Sequence, residues 1–210
     1  MKKILILLSV FLSLSCSSVK LIDSWKNPET PIFRPQKLLV VGVTENLTSR
    51  KIFEENLKRE FLDRNINAVE SSVVFESTFT DSKRSEEEID KMISELLEKG
   101  FDAVIITAVK GVEERSSYDP GYYSISYHWR RFGPYYYRFQ DIYYNPGYYN
   151  EYKVYDMETS IYNLNKDVNK SLVWVGAFQI VDPKTITKSV QEYVEAIINQ
   201  LENQGIIPQL

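Results

Sequence analysis

Apolar residues along this chain fall into continuous runs and periodic stripes, and their alternation predicts its elements. Lys37 to Thr44 and Ala103 to Val109 are continuous and β-branched, the pattern of strands covered on both faces. Between them Phe53, Leu57 and Phe61 recur at helical spacing with Ile52 and Leu62 beside them, and Asn46 or Thr48 is the expected cap. A polar strand is expected around Asn67 to Phe75. Ser85-Glu86-Glu87-Glu88 then opens a second helix as a capping box, with Ile89, Met92, Ile93, Leu96 and Leu97 as its buried stripe and Gly100 as its stop.

The ends of the chain read differently. Ser17 to Lys26 alternates as an edge strand, and Asn27-Pro28, Pro31 and Pro35 break it into a connector. Tyr152 to Tyr162 alternates Tyr155, Met157 and Ile161 against Asp156, Glu158 and Ser160, and with Leu172 to Val181 it predicts a late antiparallel hairpin. A last helix carries Val190, Tyr193, Val194, Ile197, Ile198 and Leu201 and stops at Gly205. Strand, helix, strand, helix, strand predicts right-handed parallel crossovers. The expected fold is therefore α/β: a mostly parallel sheet, helices on both faces, the late hairpin and an insertion. The expected organisation is a signal over residues 1–15, an amino-terminal segment over 16–35, one domain formed by 36–117 and 150–210, and an insertion over 118–149.

Met1-Lys2-Lys3 followed by a 12-residue apolar stretch, Ile4 to Ser15, forms a secretory signal ending at Cys16. The stretch is too short to span hydrocarbon, which takes about 20 apolar residues. Ser13-Leu14-Ser15-Cys16 resembles the processing site of bacterial lipoproteins, although Leu14 sits one place later than that pattern has it. The resemblance implies cleavage before Cys16 and acylation of its thiol and amine, and several chains together anchor stably. Ser17 after the cysteine resembles the outer-membrane default of lipoprotein sorting, with the domain facing the periplasm. Cys16 is the only cysteine, so no intramolecular disulfide is expected. Beyond residue 15 the chain holds 23 basic and 29 acidic side chains, which argues against nucleic acid as a partner.

Leu172-Val173-Trp174-Val175-Gly176, Asp182-Pro183 and the helix running into Gly205-Ile206-Ile207 are similar to the ending of a family of small envelope lipoproteins of unassigned function. With Leu38 to Thr44 and Phe101 to Val109 the resemblance covers most of residues 36–207. The element order also looks, more distantly, like the α/β domain of the curli secretion-channel lipoprotein, of the lipoproteins that activate penicillin-binding proteins, and of the amino-terminal part of the Tol translocation protein. These resemblances imply binding without turnover and carry over no catalytic residue.

The segment 118–149 departs from that pattern and holds 11 of the 15 tyrosines. Asp119-Pro120-Gly121-Tyr122-Tyr123 recurs as Asn145-Pro146-Gly147-Tyr148-Tyr149, with Gly133-Pro134-Tyr135-Tyr136-Tyr137 midway; Pro-Gly pairs favour type II turns. The composition is compatible with three uses: rings packed on the domain itself, a protein contact surface, or a platform for glycans. For the contact surface the candidate residues are Tyr122, Tyr123, Trp129, Arg130, Arg131, Tyr135, Tyr136, Tyr137, Tyr148 and Tyr149, since tyrosine and arginine are enriched at interfaces.

Catalytic chemistry finds little material. His128 is the only histidine, too few for a triad or a zinc site, and no cofactor signature stands out. Glu54-Glu55, Glu86 to Glu88 and Glu113-Glu114 read as solvated surface. Gly42-Val43-Thr44-Glu45-Asn46 passes from strand to helix where parallel sheets bind ligands, so Thr44, Glu45 and Asn46 are the candidate lining of a small-molecule pocket, without the glycine-rich phosphate signature. The expected activity is that of a non-enzymatic, lipid-anchored envelope protein that binds an envelope protein partner, or else a glycan or small ligand.

Overall fold

A computed structural model describes residues 17–30, 33–44, 46–75, 83–114, 153–165, 171–183 and 185–210. Within them six strands form one sheet: β1 (Val19–Lys26), β2 (Leu38–Val43), β3 (Ala68–Glu70), β4 (Ala103–Glu114), β5 (Lys153–Asn163) and β6 (Leu172–Val181), in the order β1-β6-β5-β4-β2-β3. Four helices accompany it: α1 (Leu47–Asp63), α2 (Ser71–Val74), α3 (Glu86–Glu98) and α4 (Ile186–Asn203).

The sheet is mixed, and the expectation of a mostly parallel one is corrected. Only β2–β3 and β2–β4 are parallel; β4–β5, β5–β6 and β1–β6 are antiparallel. Continuous apolar runs report burial on both faces, not direction. Strand β6 is buried from Leu172 to Phe178 on both its faces and yet has antiparallel neighbours on each side. The late hairpin is present as β5 and β6.

Two apolar layers flank the sheet. Phe53, Leu57 and Phe61 of α1 and Tyr193, Val194, Ile197, Ile198 and Leu201 of α4 pack with Leu38, Val40, Ile105, Ile161, Trp174 and Phe178 on one face. Ile89 and Leu96 of α3 pack with Leu39, Val41, Val104, Ile106, Tyr162 and Val175 on the other. The helices stop where expected: Gly100 and Gly205 take positive φ, 80° and 63°, which a residue without Cβ adopts freely. The α3 capping box forms, Ser85 accepting from the Glu88 amide at 3.2 Å while Glu88 accepts from the Ser85 amide at 2.8 Å. The strand expected over Asn67 to Phe75 is three residues long, and the chain then turns into α2.

Strand lengths shape the upper end of the sheet, taken as the end where β2 finishes. There Val43 pairs with Ala108, whereas β4 runs on to Glu114 and stays paired with β5 up to Lys153. Val154 pairs with Val181 and Val19 with Ile180, so β4, β5, β6 and the start of β1 stand above β2 as a projecting arm.

Candidate functional site

A cavity of about 270 Å³ lies under this arm, on the α1/α4 face. Val43, Phe53, Val109, Tyr155, Met157, Ile180, Ile186 and Val190 give it apolar walls, and Thr44, Asn46, Ser49, Arg50, Thr107, Ser189 and Tyr193 bring polar atoms. The position follows from the topology, because β2 ends early and α1 and α4 both begin here, leaving the arm unsupported on this side.

Each helix start is capped from its own sequence. Asn46 accepts from the Ser49 amide at 2.9 Å and Thr185 from the Lys188 amide at 3.4 Å. Thr44 Oγ1 accepts from the Asn46 amide at 3.3 Å, tightening the turn out of β2.

Two polar networks brace the cavity. Glu54 is fully buried, and it accepts from the Gly42 amide at 2.9 Å, Arg50 Nε at 3.1 Å, the Ser71 hydroxyl at 2.6 Å and the Ser72 amide at 3.3 Å. Arg50 Nη2 also donates to Ser71 Oγ at 2.8 Å, so one carboxylate ties β2, α1 and α2 together. The other network is a chain of hydroxyls, Thr107 to Thr159 at 2.6 Å and Thr159 to Tyr193 at 2.6 Å, at the cavity floor. Burial pushes the Tyr193 phenol up against the hydrogen bonding of Thr159 and Thr107, so Tyr193 remains a neutral hydroxyl at physiological pH.

Across the sheet a second buried pair, Lys110 Nζ and Glu158 Oε1 at 3.2 Å, lies on the α3 side. Beside it Tyr162 is held well above the usual phenol range, first by burial and then by the Glu158 charge.

Of the residues singled out from sequence, Thr44 and Asn46 line the cavity with Thr107, Tyr155 and Tyr193 from distant parts of the chain. Glu45, Cys16, and the tyrosine-rich segment with Tyr122, Tyr123, Trp129, Arg130, Arg131, Tyr135, Tyr136, Tyr137, Tyr148 and Tyr149 lie outside the described residues. The reading of Glu54 as solvated surface is corrected by its burial. Its signal was present in the chain: Arg50, Phe53, Glu54, Leu57 and Phe61 share one helical stripe, so an i,i+4 ion pair points inward with the aromatic residues.

No protein-family model matches the chain, and no curated protein matches it. Among solved structures it is similar to a PelC dodecamer from Paraburkholderia phytofirmans, at 9% identity and TM-score 0.43 over 91% of this chain and 99% of that one. It is also similar to the lipoprotein GNA1162 from Neisseria meningitidis, at 13% identity and TM-score 0.41 over 80% of this chain and 99% of that one. Likenesses at this level assign no function.

The cavity lining therefore speaks for itself. Among the described residues it offers hydroxyls, an amide and one guanidinium, with no carboxylate, imidazole or thiol. No group of three or more His, Cys, Asp or Glu among the described residues is placed to hold a metal ion. No helix among them is long and apolar enough to cross a membrane. Such a lining can hold an apolar or amphipathic group and orient it by hydrogen bonds.

Proposed function

We propose that this chain is a non-enzymatic envelope lipoprotein, anchored by lipid at Cys16 in the outer membrane and facing the periplasm, and that it serves as a protein-interaction or assembly module through its tyrosine-rich insertion. The observation that carries this reading is the mount of that insertion. Glu114 and Lys153, the described residues on either side of it, are register partners at the tip of the projecting arm. A segment joined to two adjacent, hydrogen-bonded strand ends can be lengthened without disturbing the core, as surface loops commonly are. Eleven tyrosines placed there supply contact area with few rotatable bonds each.

The test exploits the register. Because Glu114 and Lys153 face each other, a short Gly-Ser turn can replace the insertion and close the hairpin. Crosslinking in the intact envelope followed by mass spectrometry then compares the two forms once both are shown to fold. Loss of partners with the insertion is the expected result, and an unchanged partner set refutes the proposal. The cavity favours a second reading, a module for a small ligand or a glycan, which predicts saturable quenching of Trp129 or Tyr fluorescence by the ligand with the partner set unchanged.

A further inference from the structure

The chain enters the sheet at the same end that carries the cavity and the arm, and its entry is clamped. The Ser18 backbone N–H and hydroxyl both donate to Glu192 Oε2 of α4, at 2.9 and 2.7 Å. The Ser18 carbonyl accepts from the Val181 amide at 2.8 Å, and Val19 is already in register with Ile180. Position 16 is therefore two residues from a fixed point of the fold.

We infer that the cavity end of the domain is a bilayer-docking face, pressed against lipid headgroups by a tether too short to let the body stand away. The inference rests on acylation of Cys16 and adds an orientation to it. Two residues extend at most about 7 Å. The headgroup layer on each side of the hydrocarbon is about as thick, since a bilayer of some 40–45 Å has a core of roughly 30 Å. A lipid at Cys16 thus brings Ser18, and with it the upper end of the sheet, to the headgroups.

Two features select this end over the exposed edge of β1. The clamp to Glu192 draws the tether onto the α4 side of the sheet, whereas along the β1 edge the exposed Lys20 and Asp23 offset each other and give anionic lipids no net attraction. In addition α1 and α4 both begin at this end, so the positive ends of their dipoles face the phosphates, and each opens with an exposed aliphatic residue, Leu47 at 64% and Ile186 at 42% exposure. Aliphatic residues are also exposed at the opposite end, Leu62 at 44% and Leu97 at 38%, so apolar surface alone does not decide the orientation. The tether does. The consequence is that the cavity and the base of the tyrosine-rich insertion look toward the membrane, where tyrosine and tryptophan are favoured at the interface.

The test uses the full lipidated protein in vesicles of phosphatidylethanolamine and phosphatidylglycerol containing nitroxide-labelled lipid. Acylation consumes the only native thiol, so an introduced cysteine takes an environment-sensitive fluorophore alone. Variants Ile186→Cys and Leu47→Cys report the cavity end, Leu97→Cys and Leu62→Cys the far end, and Asp23→Cys the edge. The expected result is several-fold stronger quenching at 186 and 47 than at 97 and 62, with 23 between them. Equal quenching at all sites, strongest quenching at 23, or none at 186 overturns the orientation while leaving the anchor standing. Intact-mass measurement of the extracted protein separates the two levels, because an unmodified Cys16 overturns the anchoring and the orientation together.

Discussion

Replacing Glu54 by alanine tests whether the end of β2 is held by one buried carboxylate. The side chain is 0% exposed and accepts four hydrogen bonds, while its ionic partner Arg50 is 5% exposed. Alanine leaves a guanidinium buried without that counterion, and the Gly42 amide loses its carboxylate acceptor. Breaking one side of a buried pair costs about 3–5 kcal/mol. With a urea slope of roughly 2 kcal/mol/M, the unfolding midpoint of a soluble form beginning at Ser17 should fall by about 1.5–2.5 M. The double variant Arg50→Met/Glu54→Gln separates charge from structure. It removes the buried cation and keeps an amide oxygen for Gly42, so it should recover most of the loss, because apolar replacements of buried pairs are often neutral. A loss below about 1 kcal/mol for Glu54→Ala, or a double variant no better than the single one, refutes the account of this network.

Two further predictions use the same soluble form. Gly176→Ala places a Cβ against the Trp174 ring, 2.7 Å from Cζ2, and 2.8 Å from Phe178 Cε2, both side chains fully buried, so overpacking should cost about 1–3 kcal/mol and lower the melting temperature by roughly 2–10 °C; an unchanged melt would show that these rings yield. The Ser18 hydroxyl and, with it, the Ser18 amide and Lys188 hold Glu192 below its ordinary value of 4.5, against its partial burial. Its contribution is therefore fully present above about pH 4.5 and is lost as pH falls through the lower folded value; Glu192→Gln should flatten that part of the stability profile, and parallel profiles for the two proteins would remove the clamp from the account.

Much of the fold was legible because burial writes directly into periodicity. The stripe of α4, the capping box of α3, the edge position of β1 and the β5–β6 hairpin all have local signals of 8 to 18 residues or fixed offsets. Strand direction has no such signal. A strand covered by α1 and α4 on one face and α3 on the other is apolar throughout whichever way its neighbours run, and this is why the sheet was expected to be mostly parallel. Polarity misled in the same manner at Glu158 and Ser160, which alternate like solvent-facing residues yet are buried at 2% and 1% exposure. The Glu158 carboxylate is admitted because Lys110 crosses to it from the neighbouring strand, a partner 48 positions away that no local pattern reveals.

The candidate site was half legible for a related reason. Thr44 and Asn46 could be placed near a strand-to-helix turn from sequence alone, because the turn is local. The remainder of the cavity depends on how far β4 and β5 outrun β2, a difference of six residues between the Val43–Ala108 pair and Glu114 that becomes visible only when the registers are aligned. That overhang is also what brings the chain entry at Ser18, the start of α4 and the base of the insertion to one end. The described residues thus gather three features there: the clamp at Ser18, the paired strand ends Glu114 and Lys153 that flank the tyrosine-rich segment in sequence, and the cavity under the arm. With the proposed anchor at Cys16, a contact surface built at that end would meet its partner at the membrane surface. Shortening the insertion and moving the anchor away from Ser18 by a flexible spacer should accordingly impair the same envelope contacts by separate routes.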